Sequence, residues 1–467
     1  MEQMLFRLTY QIKQYFEDRE EEMSEMLDYQ DVVIVDGART PIGRFGGSLR
    51  GLPVWQLGAL AIKGIMARTG IDPELIGEVV MSHTRQDGTG TNPARNMMLF
   101  AGVPLKVPAH TVNMVCAAGL KALHLAVQSI RLRETEIAIA GGSESMSNIP
   151  HVLKNARWNG FRLQNITVED GFLALSDNYS HLTPGQTAER CSEKHGLTKE
   201  ENDIIGYESH LKASKAWEAG VYDDEVFAVD IPPATKKEKG FTLYSDECYR
   251  KNPDLERMKK LRPAFQKDGT VTAGSSSGIT DGSGASLIMT RKKAEELGYK
   301  PIASFVDFLF YGLEPADFPD GPGLSIPVIL KRNNMKIDDM RYVEINEAFS
   351  SVILAAEKML NWKDREKMNA HGGCIAMGHP TGYSGQRLTL HLGHSLKKEE
   401  YGLACLCGGG GIAGNVILKG EKEEGQEFKK VIIGLDDKGF AVSRDPSPEE
   451  LEKIKNHEPS DVFKSIN

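Results

Sequence analysis

Two cysteines, a histidine and an asparagine stand in settings suited to covalent chemistry at a carbonyl. Cys116 lies in Thr111-Val-Asn-Met-Val-Cys116-Ala-Ala-Gly-Leu120, where a short apolar run meets Leu120, Leu123, Val127 and Ile130 at helical spacing. A thiol at a helix start is expected to feel the positive end of the helix dipole, which lowers its pKa from about 8.5 and favours a nucleophilic thiolate. The same position would equally suit a small buried cysteine. His379 follows Gly378 and precedes Pro380 in a glycine-crowded stretch, so its backbone is held in tight turns and the imidazole is positioned rather than merely solvated. Asn346 ends the apolar run Tyr342-Val-Glu-Ile345, at the carboxyl end where open α/β sheets place ligands, although it would also serve as a helix cap. Cys407 is followed by Gly408-Gly-Gly-Gly411, a backbone free of side chains that could present N–H groups to an oxyanion or could simply turn the chain.

Two other motifs fail in context. Gly409-Gly-Gly411-Ile-Ala-Gly414 fits a dinucleotide fingerprint, but the strand-like Asn415-Val-Ile-Leu-Lys419 follows where a helix is required. Gly274-Ser-Ser-Ser-Gly278 fits a nucleophile elbow, yet Ile279-Thr-Asp-Gly282 cannot start the helix an elbow needs.

The elements that must position these residues are legible as an α/β pattern. Residues 31–36, 77–81 and 136–140 are continuous apolar or β-branched runs, as buried strands should be, and a loop is expected over residues 37–47. The second half repeats the order at one offset: Glu344-Ile345 answers Glu78-Val79, Ser384-Gly385 answers Ala118-Gly119, and Leu403-Ala404 answers Ile137-Ala138, each 266 residues on. Such a shared offset indicates an internal duplication. Two α/β copies are expected to form two mostly parallel sheets in an α/β/α/β/α layering, with helices between and outside. Residues 150–270 have no counterpart and read as an inserted loop domain, with a helix over residues 199–218.

Composition bounds the rest. The 467 residues carry a net charge of −9, of which residues 1–30 contribute −5 and residues 421–467 contribute −4, leaving a neutral body. No strongly basic nucleic-acid face is indicated, and no apolar run approaches the ~18 residues of a membrane helix. Six cysteines without a C-x-x-C pair suggest free thiols in a reducing compartment, and the acidic stretch 17–25 argues against a transit peptide, so the expected location is cytoplasmic. Leu5, Leu8, Ile12 and Phe16 suggest an amphipathic N-terminal helix; residues 430–434 and 448–455 suggest a strand and a helix near the C-terminus. Both extensions are expected to make protein contacts.

Taken together, the motifs resemble the thiolase family (acetyl-CoA acetyltransferase and 3-ketoacyl-CoA thiolase) over about residues 31–420. The resemblance rests on Asp36-Gly-Ala-Arg-Thr-Pro41, Val112-Asn-Met-Val-Cys116, Gly141-Gly-Ser-Glu-Ser-Met146, Asp246-Glu-Cys-Tyr-Arg250, Leu261-Arg-Pro-Ala-Phe265, Asn346-Glu-Ala-Phe349, Gly378-His-Pro380 and Cys407 with its glycines. It implies a thiolase-like fold: an N-terminal domain of residues 31–149 and 271–290, the insertion 150–270 carrying substrate contacts, a C-terminal domain of residues 291–420, and acidic extensions 1–30 and 421–467.

By the same resemblance Cys116 is the acyl-accepting nucleophile, His379 its base and an oxyanion donor, Cys407 the acid/base at the α-carbon, and Asn346 the holder of an oxyanion-hole water. Backbone N–H groups of Cys116 and Gly409 would form a second oxyanion hole, and Ser277 with Ala273 would contact the pantetheine arm. Coenzyme A is then a substrate, with no metal or bound cofactor required, and a homodimer or homotetramer is expected. The implied reaction is thiolytic cleavage of a 3-ketoacyl-CoA, or its reverse Claisen condensation. The stretches Tyr299-Lys-Pro301, Asp307-Phe308 and Gly185-Gln-Thr-Ala-Glu189 look like the β-oxidation branch, while Asn346 argues against the multienzyme subunit, which tends to carry histidine there. Ala118 stands where the family usually has serine, Ser275 where it has asparagine, and residues 177–186 do not align cleanly, which leaves acyl-chain length open. The alternatives are a short-chain biosynthetic thiolase, a decarboxylating ketoacyl synthase (disfavoured because that relative carries histidine where Cys407 stands) and an inactive acyl-CoA-binding scaffold.

Overall fold

A computed structural model describes residues 28–160, 163, 165–233 and 239–456. The expected N-terminal helix falls outside them. The first half runs β1 (Val32–Arg39), α1 (Val54–Thr69), β2 (Glu78–Ser82), α2 (Pro93–Phe100), β3 (Ala109–Val112), α3 (Ala118–Arg131) and β4 (Ile137–Ser145). A long excursion then carries the helices α4 (Pro184–His195) and α5 (Lys199–Glu218) and the strands β5 (Ala228–Ile231) and β6 (Phe241–Leu243), before the chain returns as β7 (Thr280–Thr290). The second half is β8 (Ala303–Gly312), α6 (Gly321–Arg332), β9 (Met340–Ile345), α7 (Ser350–Leu360), α8 (Ser384–Ser395), β10 (Tyr401–Gly408) and β11 (Ile412–Gly420). It is followed by β12 (Ile432–Leu435), β13 (Ala441–Arg444) and α9 (Pro448–Lys455), close to the strand and helix expected there.

The halves obey the duplicated pattern: β9, α8 and β10 stand where β2, α3 and β4 do. Alternation along each strand sorts side chains into layers. Val32 and Ile34 of β1, with Ala404 and Leu406 of β10, face a central layer formed by α3 and α8. Val33 and Val35 face α1 and α2 on one outside, and Leu403, Cys405 and Cys407 face α6 and α7 on the other. This is the expected five-layer order. Strand directions differ from the expectation, however: the order is β3-β2-β4-β7-β1 in one half and β8-β11-β10-β9 in the other, with β7 and β11 antiparallel to both neighbours. The physical cause is the connection. Only the three residues Gly409–Gly411 separate β10 from β11, and a turn that short joins strands only as an antiparallel hairpin. Their counterparts β4 and β7 keep that pairing although residues 146–279 now lie between them. The two halves also meet edge to edge, through Val33 with Ser304 and Ile34 with Ala303.

A second correction concerns residues 37–47, where β1 continues through Arg39 before the loop begins. The buried Arg39 guanidinium is neutralised by Glu225 at 2.7 Å and Asp246 at 2.8 Å, which allows a charged residue inside a strand and ties the insertion to the body. The described C-terminal extension packs on its own chain in part: β12 pairs with β5, and the Phe440 ring packs at a tilt on Phe100, which in turn packs on Trp55.

The centre of the molecule is a helix crossing without side chains. A Cβ on Gly119 would lie 2.7 Å from the Gln386 nitrogen, and one on Gly385 would lie 2.3 Å from the Leu120 nitrogen. These are equivalent glycines of the two repeats, one in the first turn of α3 and one in the first turn of α8. Because backbone meets backbone, no rotamer change can relieve a substitution. Gly385→Ala is expected to lower unfolding free energy by about 2–3 kcal/mol or more in urea titration. Gly51→Ala, with open space around it, should stay within about 0.5 kcal/mol.

Candidate active site

Helix crossing decides where the chemistry sits, because Cys116 precedes α3 and His379 precedes α8. Val115 is held at φ 50°, a left-handed conformation costly for a β-branched residue, and its N–H is captured by Asn113 Oδ1 at 3.1 Å. That turn delivers Cys116 to the end of β10, beside Gly408 and Gly409, where the N–H groups of Gly409 and of Cys116 itself favour a charged sulfur. The expected activation by the helix dipole is not what prevails. Burial pushes the Cys116 thiol up to about 12, against the lowering effect of those N–H groups, so the resting group is a protonated thiol.

His379 is the complementary case. Burial, with the Arg387 charge nearby, pushes its pKa down to about 4, so the ring is neutral at ordinary pH, with a lone pair free to accept a proton. Ser384 Oγ lies 2.6 Å from Nδ1 and gives its single proton to Pro380 O at 3.0 Å, so Nδ1 carries the ring proton and donates to Ser384. Nε2 is left with its lone pair, 3.4 Å from Asn346 Nδ2. The His379 N–H donates to Gly278 O at 3.2 Å and the Ser277 N–H to Ala348 O at 3.0 Å, which threads residues 273–278 between the His379 loop and the Asn346 loop. Cys407, at the end of β10, is wholly buried; burial, with Cys116, Cys405 and Cys191 near, holds its thiol well above the usual range.

His379 and Asn346 are therefore in contact, and Cys116 lies at the Gly408–Gly409 turn with Cys407 near it; the helix crossing brings the starts of α3 and α8, and so these two groups, to one region. Ser277 borders this group, whereas Ala273 is exposed and lines an outer cleft of about 240 Å³ with His210, Arg250, Arg257, Leu261 and Gly274. Sequence reasoning missed Ser384, Glu144 and the two cleft arginines; Glu144 and Arg250 stand within quoted signatures, but only the fold shows what they touch. Glu144 of β4 accepts from Thr84 N–H and Oγ1, Arg85 N–H, Thr381 Oγ1 and Gly382 N–H, and pairs with His83 at 2.7 Å. It thus clamps the His379 loop of one half to the loop after β2 of the other. Elsewhere Cys191, His195 and Asp320 hold potential ligand atoms within 4.8 Å, but Lys194 Nζ already sits 2.7 Å from Asp320 Oδ2.

The family model described as "Thiolase, N-terminal domain" matches residues 32–292, and "Thiolase, C-terminal domain" matches residues 299–420. The chain belongs to the thiolase family. It is 40% identical over 392 residues to the mitochondrial acetyl-CoA acetyltransferase of Bos taurus, covering 83% of this chain and 91% of that one. It is 43% identical over 383 residues to a probable acetyl-CoA acyltransferase of Staphylococcus epidermidis, covering 81% and 96%. Human mitochondrial 3-ketoacyl-CoA thiolase superposes with a TM-score of 0.79 at 34% identity, covering 84% of this chain and all of that one. The same human enzyme in complex with CoA superposes equally well, at 33% identity, covering 84% and 99%. This thiolase is accordingly an enzyme of the acetyl-CoA acyltransferase type. Among the described residues no helix is long and apolar enough to cross a membrane.

The Glu144 clamp has a pH signature. Burial opposes its charge, but His83 and the hydrogen bonds from Thr84 hold its carboxyl at about 2, below the ordinary 4.5. A carboxyl depressed in the folded state stabilises fully above its unfolded value, and that stability is lost as pH falls from about 4.5 towards about 2. Glu144→Gln should cost about 3–5 kcal/mol at pH 7 and flatten that part of the stability profile, as measured by urea midpoints between pH 2 and 7.

Proposed function

We propose that this thiolase cleaves 3-ketoacyl-CoA with CoA by a ping-pong mechanism through acyl-Cys116, in the degradative direction. What supports the proposal is a buried protonated thiol and a buried neutral imidazole, each just before one of two helices that cross backbone to backbone, with a second thiol near the first. Neither sulfur is ionised at rest, so the proton must move when substrate arrives: His379 Nε2 takes the Cys116 proton as the sulfur attacks the C3 carbonyl. Charge on the C3 oxygen is met by the N–H groups of Cys116 and Gly409, which form one oxyanion hole; charge that reaches the thioester oxygen as C2 takes up electrons is met by the other, the newly protonated Nε2–H with a water held by Asn346. Breaking the C2–C3 bond leaves electrons on C2, and Cys407 supplies the proton that completes acetyl-CoA. The thiol of a second CoA then gives its proton to Cys407 and displaces the acyl group from Cys116, and His379 returns its proton to the departing Cys116 sulfur, which restores both cysteines and the neutral imidazole.

What supports CoA as substrate is the route from the outer cleft inward. Arg250 and Arg257 offer positive charge where phosphates would lie, and the segment from Ala273 to Ser277 leads from that cleft to His379. A short-chain acetoacetyl-CoA thiolase remains the second reading, favoured by the acetyl-CoA acetyltransferase names among the relatives. We read the chain as divided at residues 31–149 with 271–290, 150–270 and 291–420, and as a homodimer or homotetramer. Supporting the latter are the exposed Trp158, Ile166 and Val168 of the insertion.

Purified protein with CoA is expected to consume the enolate absorbance of both acetoacetyl-CoA and a long-chain 3-ketoacyl-CoA. Loss of acetoacetyl-CoA alone would favour the short-chain reading, and loss of neither would overturn thiolysis. Cys116→Ala should give no acyl-enzyme by intact mass. The acid limb of kcat/KM is expected near pH 4, because a base is lost only when protonated and His379 is pushed down to about 4; a limb at 6 to 7 would remove His379 from the role.

A further inference from the structure

Behind Asn346 stands a third thiol that the proposed reaction does not use. Cys374 opens the short helix Cys374–Met377, five residues before His379, and its side chain is wholly buried. Its Sγ–H donates to Asn346 Oδ1 at 2.9 Å, and Arg387 Nη2 from α8 donates to the same sulfur at 3.5 Å. Burial keeps this thiol protonated, against the lowering effect of Arg387.

A carboxamide has two orientations of nearly equal shape and opposite hydrogen-bonding sense. The orientation seen here turns the NH2 group of Asn346 to the lone pair on His379 Nε2. The reverse would set a carbonyl oxygen against that lone pair, which favours a protonated imidazole and removes a donor from the proposed oxyanion site. What distinguishes the two is the partner on the far side. A sulfur that already accepts from Arg387 has its one proton free to give, so it selects the oxygen end of the amide.

We infer that Cys374, backed by Arg387, is a positioning residue that locks the Asn346 amide with its NH2 group towards His379. The inference rests on the proposed roles of His379 and Asn346. It makes the chain Arg387, Cys374, Asn346, His379, Ser384 a single directed series of hydrogen bonds, in which each group has one possible sense. Cys374 touches neither substrate nor reacting atoms, so its loss should act on turnover and not on binding.

The test compares Cys374→Ala, Cys374→Val and Cys374→Ser in the full chain, with acetoacetyl-CoA and CoA as substrates. Alanine removes the donor and leaves a small void; valine fills the volume without a donor; serine restores the donor. The expected result is a kcat lowered about 10-fold by alanine and by valine, KM within 2-fold, and serine within about 3-fold of the unsubstituted enzyme. Serine as damaging as alanine, or a kcat unchanged in the alanine variant, would overturn the inference. Cys116→Ala and His379→Ala are assayed alongside. If they are inactive while Cys374→Ala is not impaired, only the positioning role fails; if they retain activity, the reading of the site itself fails.

Discussion

Everything at this site depends on two helices touching without side chains between them. Gly119 and Gly385 let α3 and α8 approach until the backbone of one meets the backbone of the other. Each helix is preceded by one reactive group, Cys116 or His379, and each sits in a different repeat. The closeness of the helices therefore draws together the proposed nucleophile and the proposed base. Glu144 acts on the same junction from the sheet, gathering N–H and hydroxyl donors from the loops of both halves, so that the crossing cannot shear without breaking a buried charge cluster.

Burial then sets the chemistry. The same desolvation drives Cys116 up and His379 down, because it penalises whichever form carries charge. The outcome is a pair of neutral groups; in the proposed reaction they exchange a proton only when a developing oxyanion repays the separation of charge. A thiolate poised by a helix dipole would react with any electrophile that reached it. A neutral pair in a dry site would react when substrate completes the circuit, with the N–H groups of Cys116 and Gly409 as the proposed donors to that charge.

Duplication supplies the frame, and unequal connections make it an enzyme. In the second half three glycines close the β10–β11 hairpin and place Gly409 against Cys116. In the first half the equivalent β4–β7 connection has grown into the excursion that carries Arg250, Arg257 and Ala273 to the outer cleft. One hairpin position therefore builds the reacting centre in one repeat and the approach to it in the other. The C-terminal strands secure the excursion by pairing with β5.

Local pattern determined much of this protein. Continuous apolar runs marked the strands, the shared offset exposed the repeat, and Cys116, Asn346, His379 and Cys407 stood out because their residue types and their places at helix starts, strand ends and glycine-rich turns narrow the chemistry. Periodicity does not encode which way a strand runs, so the mixed sheets emerged only with the connections in view. Nor does a helix-start position reveal how much water surrounds a thiol; whether the dipole or desolvation governs Cys116 depends on packing contributed by residues hundreds of positions away. Ser384, Glu144 and Cys374 looked ordinary in sequence for the same reason. Their roles are defined by what they donate to or accept from, and those partners become neighbours only when the two repeats close on each other.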